Sequence, residues 1–304
     1  MRVVITGGSG LIGSAVAREL GGAGHEVVVL SRDPTKVTLP PNTRAMQWDG
    51  RTGEGWASLL DAGTAIVHLA GESIADGRWT AGKKRRIRAS RVESGGAVMA
   101  AIRQAKEKPR VLLQGSAVGY YGPCGDEVVT ESHPAGPPGS DFLADVCVEW
   151  EASTAEAEAM GVRRAELRTG IVLSGAGGAL PKMALPFRLG AGGSLGGGRQ
   201  WVPWIHLADE VGAIRFLLER EDARGPFNLT APEPLTNRDF SRTLGRALHR
   251  PSLAPAPGFA LRLVLGEMAD MLLHGQRAVP HRLLELGYVF RYPEALAALR
   301  NLFD

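Results

Sequence analysis

Short, uniformly apolar runs alternate with longer stretches of helical period through the first half of the chain. Residues 2–5, 26–30, 45–48, 65–69 and 111–114 read as strands, and the segments between the first two and between the last two read as helices. Strands that are apolar throughout suit a parallel sheet covered by helices on both faces, since parallel neighbours need crossover connections. A helix beginning near Asp141 carries Trp150 and the Ala/Glu run to Met160, and another strand follows at 163–167. The pattern predicts an α/β fold with a doubly wound parallel sheet.

After Arg168 the texture changes. Glycines recur from Gly175 to Gly198, a composition that predicts a long shaped loop over a cleft, and prolines follow at 232, 234, 251, 255 and 257. The expected division is a sheet domain over 1–174, to which 204–229 returns, and a smaller C-terminal substrate-binding region over 175–304.

Composition narrows the function classes. With 304 residues, 22% charged and 44% hydrophobic, the chain has ordinary globular composition, and its net charge of +3 is far from the footprint of a nucleic-acid binder. Cys124 and Cys147 show no Cys-x-x-Cys spacing and no nearby histidine, so neither a zinc site nor a disulfide framework is indicated. No apolar run reaches the roughly 18 residues of a membrane span, and residues 2–5 read as a core strand rather than part of a signal peptide. A cytoplasmic protein acting on a small molecule, without nucleic-acid or membrane partners, is expected. The departure from average is glycine: 40 residues, where usage of about 7% would give roughly 21.

Part of that surplus sits where it has chemical meaning. Thr6-Gly7-Gly8-Ser9-Gly10-Leu11-Ile12-Gly13 follows the first strand directly and opens a helix, the context of a Rossmann-type dinucleotide turn. Glycines there permit the tight turn, close approach of a pyrophosphate and close helix packing, while the helix N-terminus offers free N–H groups to phosphate. The second strand runs into Ser31-Arg32 rather than a carboxylate. A hydroxyl and a guanidinium suit a ribose 2′-phosphate, so NADP is predicted over NAD, although Asp33 stands one residue on.

These residues resemble the extended branch of the short-chain dehydrogenase/reductase superfamily. The likeness extends to His68-Leu69-Ala70-Gly71, Gly115-Ser116-Ala117 with Tyr121-Gly122, Arg168-Thr169-Gly170, and Trp204-Ile205-His206 with Asp209. More closely the chain resembles an atypical group of epimerase-family, cell-division-inhibitor-like proteins. Its marks are Leu69-Ala70-Gly71-Glu72-Ser73-Ile74-Ala75-Asp76 with Arg78-Trp79, Ser116 to Gly122, Asp141-Phe142-Leu143 ahead of Trp150-Glu151, and a C-terminal stretch from Ala260 to Pro293 like a domain of unknown function. The resemblance implies NADP binding, an epimerase or oxidoreductase reaction, cofactor contacts from Leu69, Ala70, Gly71 and Arg91, and a homodimer.

The sequence also departs from the superfamily. Its chemistry uses a Tyr-x-x-x-Lys pair, whereas the residues four beyond Tyr120, Tyr121, Tyr288 and Tyr292 are Cys124, Gly125, Tyr292 and Leu296. Alignment on Tyr121-Gly122 puts Phe142 and Val146 in the two places, and Ala117 at the usual Ser/Thr, with Ser116 one residue away. Candidate substitutes are Ser116, Tyr120, Tyr121 and Glu72, with Ser73 and Lys182 behind them. Arg199, Gln200, Trp201 and Trp204 form a candidate substrate wall, His206 with Asp209 reads as a helix cap, and the Lys83–Arg91 charge run reads mostly as a solvated helix face. Two functions of different class remain: an NADP-dependent oxidoreductase or epimerase with relocated acid/base groups, and a catalytically inactive NADP-binding sensor or scaffold.

Overall fold

The computed structural model describes residues 1–37 and 40–303. Its centre is a parallel sheet of seven strands: β1 (Arg2–Thr6), β2 (Glu26–Ser31), β3 (Thr43–Gln47), β4 (Thr64–His68), β5 (Val111–Ala117), β6 (Arg163–Thr169) and β7 (Gly225–Leu229). The spatial order is β3-β2-β1-β4-β5-β6-β7, and every neighbouring pair is parallel. The order reverses between β1 and β4, where Thr6 lies opposite His68, so the loops leaving these strands open the crevice in which such sheets bind ligands.

Successive strand residues face opposite layers. Val3, Ile5, Val27 and Val29 pack under α1 (Leu11–Gly22) and the helix Leu207–Glu219. Val4, Val28, Ile66 and Leu112 pack under α2 (Ala81–Gln104). Burial on both faces explains why these strands carry no polar alternation. The third strand is Thr43–Gln47 rather than 45–48: Trp48 leaves it, donates its indole N–H to the Thr52 carbonyl at 2.7 Å and packs edge-on against Trp56.

Two helical expectations need correction. The helix predicted to run to Met160 divides into α3 (Phe142–Ala152) and a short helix, Glu156–Ala159. Ser153 and Thr154 interrupt it, their hydroxyls bonding the Trp150 carbonyl at 2.6 Å and Gln114 Oε1 at 3.0 Å. The segment 175–198 is not loop throughout, because Leu180–Arg188 is helical with Pro181 in its first turn. Leu180, Ala184 and Phe187 supply the buried stripe, joining Trp204, Phe240, Leu244 and Leu299 in a separate core.

That core belongs to the C-terminal region, which buried carboxylates attach to the sheet. Asp209 accepts the Arg291 and Tyr292 backbone N–H groups at 2.7 and 2.9 Å. Glu131 accepts N–H groups from Asn228 in β7 at 3.0 Å and from Arg282 at 3.3 Å. Among the described residues no helix is long and apolar enough to cross a membrane.

Candidate cofactor and substrate site

The turn after β1 is shaped by steric necessity. Gly7 has φ +70°, and a Cβ there would lie 2.7 Å from the Leu69 carbonyl carbon; a Cβ on Gly13 would lie 2.3 Å from the Gly7 oxygen. Both positions therefore exclude side chains. Gly8 is tight for a different reason, its Cβ position falling 2.6 Å from Val29 Cγ1. Helix α1 begins at Leu11 behind Gly10 with no side-chain cap, so Leu11 and Ile12 present first-turn N–H groups beside the exposed Ser9. These features fit a dinucleotide pyrophosphate.

A buried hydroxyl ties this turn to the loop after β4. Thr6 Oγ1 accepts the Leu69 and Ala70 N–H groups at 3.1 and 3.2 Å, which directs its own proton to His68 Nδ1 at 2.6 Å. His68 then carries hydrogen on Nε2, facing Ser94 Oγ at 3.3 Å, while the Ser94 hydroxyl donates to the Ser90 carbonyl. Burial, with Arg91 nearby, lowers the His68 pKa to about 3, so the ring stays neutral.

At the end of β2, Ser31 Oγ accepts the Asp33 N–H at 3.2 Å. Arg32 is exposed, and its guanidinium pairs with no described residue. Arg91 turns inward instead. Its guanidinium carbon would lie 3.0 Å from a Cβ on Gly71, its Nη1 donates to the Glu72 carbonyl, and it stacks 5.0 Å from Trp150. Lys83, from the same charge run, is buried against Glu72 at 2.7 Å rather than solvated.

Beyond β5 the polar candidates are already engaged. Ser116 Oγ donates to Glu151 Oε1 at 2.6 Å, and Arg168 holds both Glu151 oxygens through Nε at 2.9 Å and Nη2 at 3.0 Å. Arg168 Nη1 also donates to Tyr121 Oη, whose hydroxyl donates to Asn228 Oδ1 at 2.7 Å. Burial pushes the Tyr121 phenol up to about 12, against the pull of Arg168. Tyr120 is half-buried, with the Arg168 guanidinium 3.5 Å from its ring centroid. Phe142, at the start of α3, meets Trp79 edge-on at 5.4 Å, and Val146 is buried one turn later. Glu72 is neutralised by Lys83 and Arg86, which hold its carboxyl below the usual range, so it is poorly suited to proton transfer.

The C-terminal region closes over this edge. Gly178 lies so near Leu11 that a Cβ would fall 2.9 Å from its Cδ2. Lys182 Nζ donates to the Ala75 carbonyl at 3.2 Å, Arg78 to the Leu263 carbonyl, and Lys84 pairs with Glu267. Of the proposed substrate wall, Arg199 is exposed and Trp201 half-exposed, its indole N–H on Asp126 Oδ1 at 3.0 Å. Gln200 instead holds the Leu195 and Leu272 carbonyls. Trp204 does not line the wall: it is 1% exposed in the C-terminal core. His206 Nδ1 accepts the Ala208 N–H at 3.0 Å and caps the following helix, whereas Asp209 is the anchor described above. Glu151, Asn228 and Asp126 join Ser116, Tyr121 and Trp201 through contacts that no local sequence signal announces, apart from the Trp150-Glu151 family mark. Among the described residues no group of three or more His, Cys, Asp and Glu could hold a metal.

Residues 3–230 match the model of the NAD dependent epimerase/dehydratase family, and residues 256–302 match a domain of unknown function, DUF1731. The epimerase family protein Mb2239 of Mycobacterium bovis is 41% identical over 95% of this chain and 93% of its own length. The epimerase family protein YfhF of Bacillus subtilis is 38% identical over 99% of this chain and 98% of its own. The crystal structure of the human epimerase family protein SDR39U1 with NADPH superposes with a TM-score of 0.87 at 35% identity, covering 99% of each chain. The chain belongs to the NAD dependent epimerase/dehydratase family and ends in a DUF1731 domain.

Proposed function

We propose that the chain binds NADP(H) along the β1–β4 crevice and serves an oxidoreductase or epimerase reaction on a small molecule without a Tyr-x-x-x-Lys pair. The observation that carries this is the glycine turn, closed to side chains at Gly7 and Gly13 and opening on an uncapped helix start. Arg32 supports the phosphorylated cofactor, because an exposed, unpaired guanidinium after β2 can grip a 2′-phosphate on two edges. The relative crystallised with NADPH agrees with that choice.

The cofactor, when bound, supplies hydride chemistry. Toward it the chain contributes a backbone cradle from Gly7 to Gly13, the Leu69–Gly71 strip held by Thr6, and a phosphate contact from Arg32. Tyr120 is the strongest protein candidate for a proton donor at the substrate, since Ser116 and Tyr121 spend their protons on Glu151 and Asn228. The same commitment favours a second reading, a binding protein that senses NADP(H) without turning it over.

Fluorescence titration with NADPH and NADH tests the cofactor assignment: tighter NADPH binding that narrows in Arg32→Ala supports it, and equal affinities overturn it. Substrate-dependent NADPH oxidation or epimer formation over a panel of carbonyl compounds and sugar nucleotides then decides between enzyme and sensor.

A further inference from the structure

Helix α1 starts at the glycine turn and packs along the helix Leu207–Glu219. Val16, Ala17 and Leu20 of α1 enter the core beneath the sheet, which leaves Ala15, Arg18, Glu19 and Gly22, one stripe of helical spacing, to border a groove. Across it stand Ala208, Val211, Gly212 and Arg215 of the second helix. The residues that meet here include small ones on both sides, Ala15 and Gly22 facing Ala208 and Gly212. The two helices therefore leave an open groove of about 660 Å³ between them, a size that suits a small molecule.

The groove is apolar at its base and cationic at its rim. Val211 is buried and Leu207 and Leu302 are half-buried, whereas Arg18 and Arg291 are exposed. Glu19, the acid that lines the groove, is spent on Arg215, whose Nη1 meets it at 2.8 Å while Nε meets Glu219 at 2.9 Å. Arg18 and Arg291 have no such match. Neither guanidinium forms a hydrogen bond or ion pair with any described residue. His206 lines the same groove, and burial lowers its pKa, keeping the ring neutral. Its Nδ1 accepts the Ala208 N–H at 3.0 Å, so the proton sits on Nε2, which is enclosed without an acceptor; the Asn301 side chain approaches it outside hydrogen-bond geometry.

An apolar base below two unmatched guanidinia has the chemistry to hold an organic anion. An apolar tail would displace water from Leu207, Val211 and Leu302, and a carboxylate would meet the guanidinium N–H edges. An inorganic ion would leave the base wet, and a neutral chain would leave the cations unmatched. We propose that the groove between α1 and the helix Leu207–Glu219 is a second ligand site, which takes an amphipathic organic acid with its carboxylate on Arg18 and Arg291. It stands apart from the dinucleotide crevice, whose contacts on α1 are the first-turn N–H groups of Leu11 and Ile12.

The test is calorimetric titration of octanoate, octan-1-ol and inorganic phosphate into the full chain, with and without saturating NADPH. Octanoate carries both the tail and the charge, and each of the others carries one. Octanoate is expected to bind about tenfold or more tighter than either, with NADPH as without it. Arg18→Ala combined with Arg291→Ala should weaken octanoate about tenfold or more, as expected for lost charge-assisted contacts, while NADPH affinity stays within twofold. Both side chains are exposed, so neither is part of the core. Arg85→Ala, exposed on α2, controls for diffuse attraction to positive charge and should bind octanoate as wild type does. No octanoate binding, equal affinity for octanoate and octan-1-ol, equal octanoate affinity in wild type and double variant, or displacement of octanoate by NADPH overturns the proposal. Failure of NADPH to bind the wild type would sink the cofactor assignment instead, and the cofactor-free titrations would still decide the role of this groove.

Discussion

Ser116 Oγ donates to Glu151 Oε1 at 2.6 Å, and through that carboxylate the end of β5 is joined to Arg168 of β6. The serine nearest the usual catalytic position thus holds a carboxylate in place rather than facing substrate. Ser116→Ala should cost about 1.5–3 kcal/mol of stability, the worth of a hydrogen bond to a charged group, and leave NADPH affinity within twofold. A large loss of turnover at unchanged stability would show that the hydroxyl acts on substrate after all.

Glu151 is the more consequential partner. Removing it leaves the buried Arg168 guanidinium without its two-oxygen counterion, and breaking such a pair typically costs about 3–5 kcal/mol. Glu151→Ala should therefore melt well below wild type, by more than Ser116→Ala, in denaturant or thermal unfolding.

The glycine turn gives a test on cofactor binding alone. Gly7→Ala combines φ +70° with a Cβ 2.7 Å from the Leu69 carbonyl, a strain of about 1–3 kcal/mol placed where the pyrophosphate is seated. NADPH affinity should fall about tenfold or more. Gly24→Ala, also at positive φ but with no atom within 4 Å of its Cβ, should lower stability slightly and leave NADPH binding intact.

His68 predicts an acid-side dependence. Its folded pKa, lowered to about 3 by burial, lies below the ordinary value of 6.5. The unfolded chain therefore takes up a proton that the folded chain refuses, and the stability present above pH 6.5 declines as pH falls toward 3. His68→Gln should flatten the fall in melting temperature between pH 6.5 and 4; an unchanged slope would contradict a buried neutral ring.

Glu210 predicts the opposite sign. Burial pushes its carboxyl up to about 8, with Thr169 donating to Oε1 and Oε2 left without a partner. A raised folded pKa favours the folded state below the ordinary carboxylate range, and that contribution is lost as pH rises through 8. Relative to wild type, Glu210→Gln should become more stable as pH goes from 5 to 9, read as the difference in melting temperature.

The sequence alone determined the sheet and the cofactor turn, because both follow from short-range rules: uniformly apolar strands, crossover helices, and glycines placed between a strand and a helix. Boundaries were less legible where one side chain decided them, as Ser153 and Thr154 did in splitting the helix after Asp141, and as the stripe of Leu180, Ala184 and Phe187 did within a glycine-rich segment. The sequence also showed that Phe142 and Val146 cannot transfer protons. Tertiary structure decided what the remaining polar groups do. Ser116 and Glu151 lie 35 positions apart, Tyr121 and Asn228 lie 107 apart, and neither contact has a periodicity that announces it. The same holds for Trp204, whose composition suits a ligand wall but whose neighbours bury it, and for Arg18 and Arg291, which come to border one groove only when the chain folds.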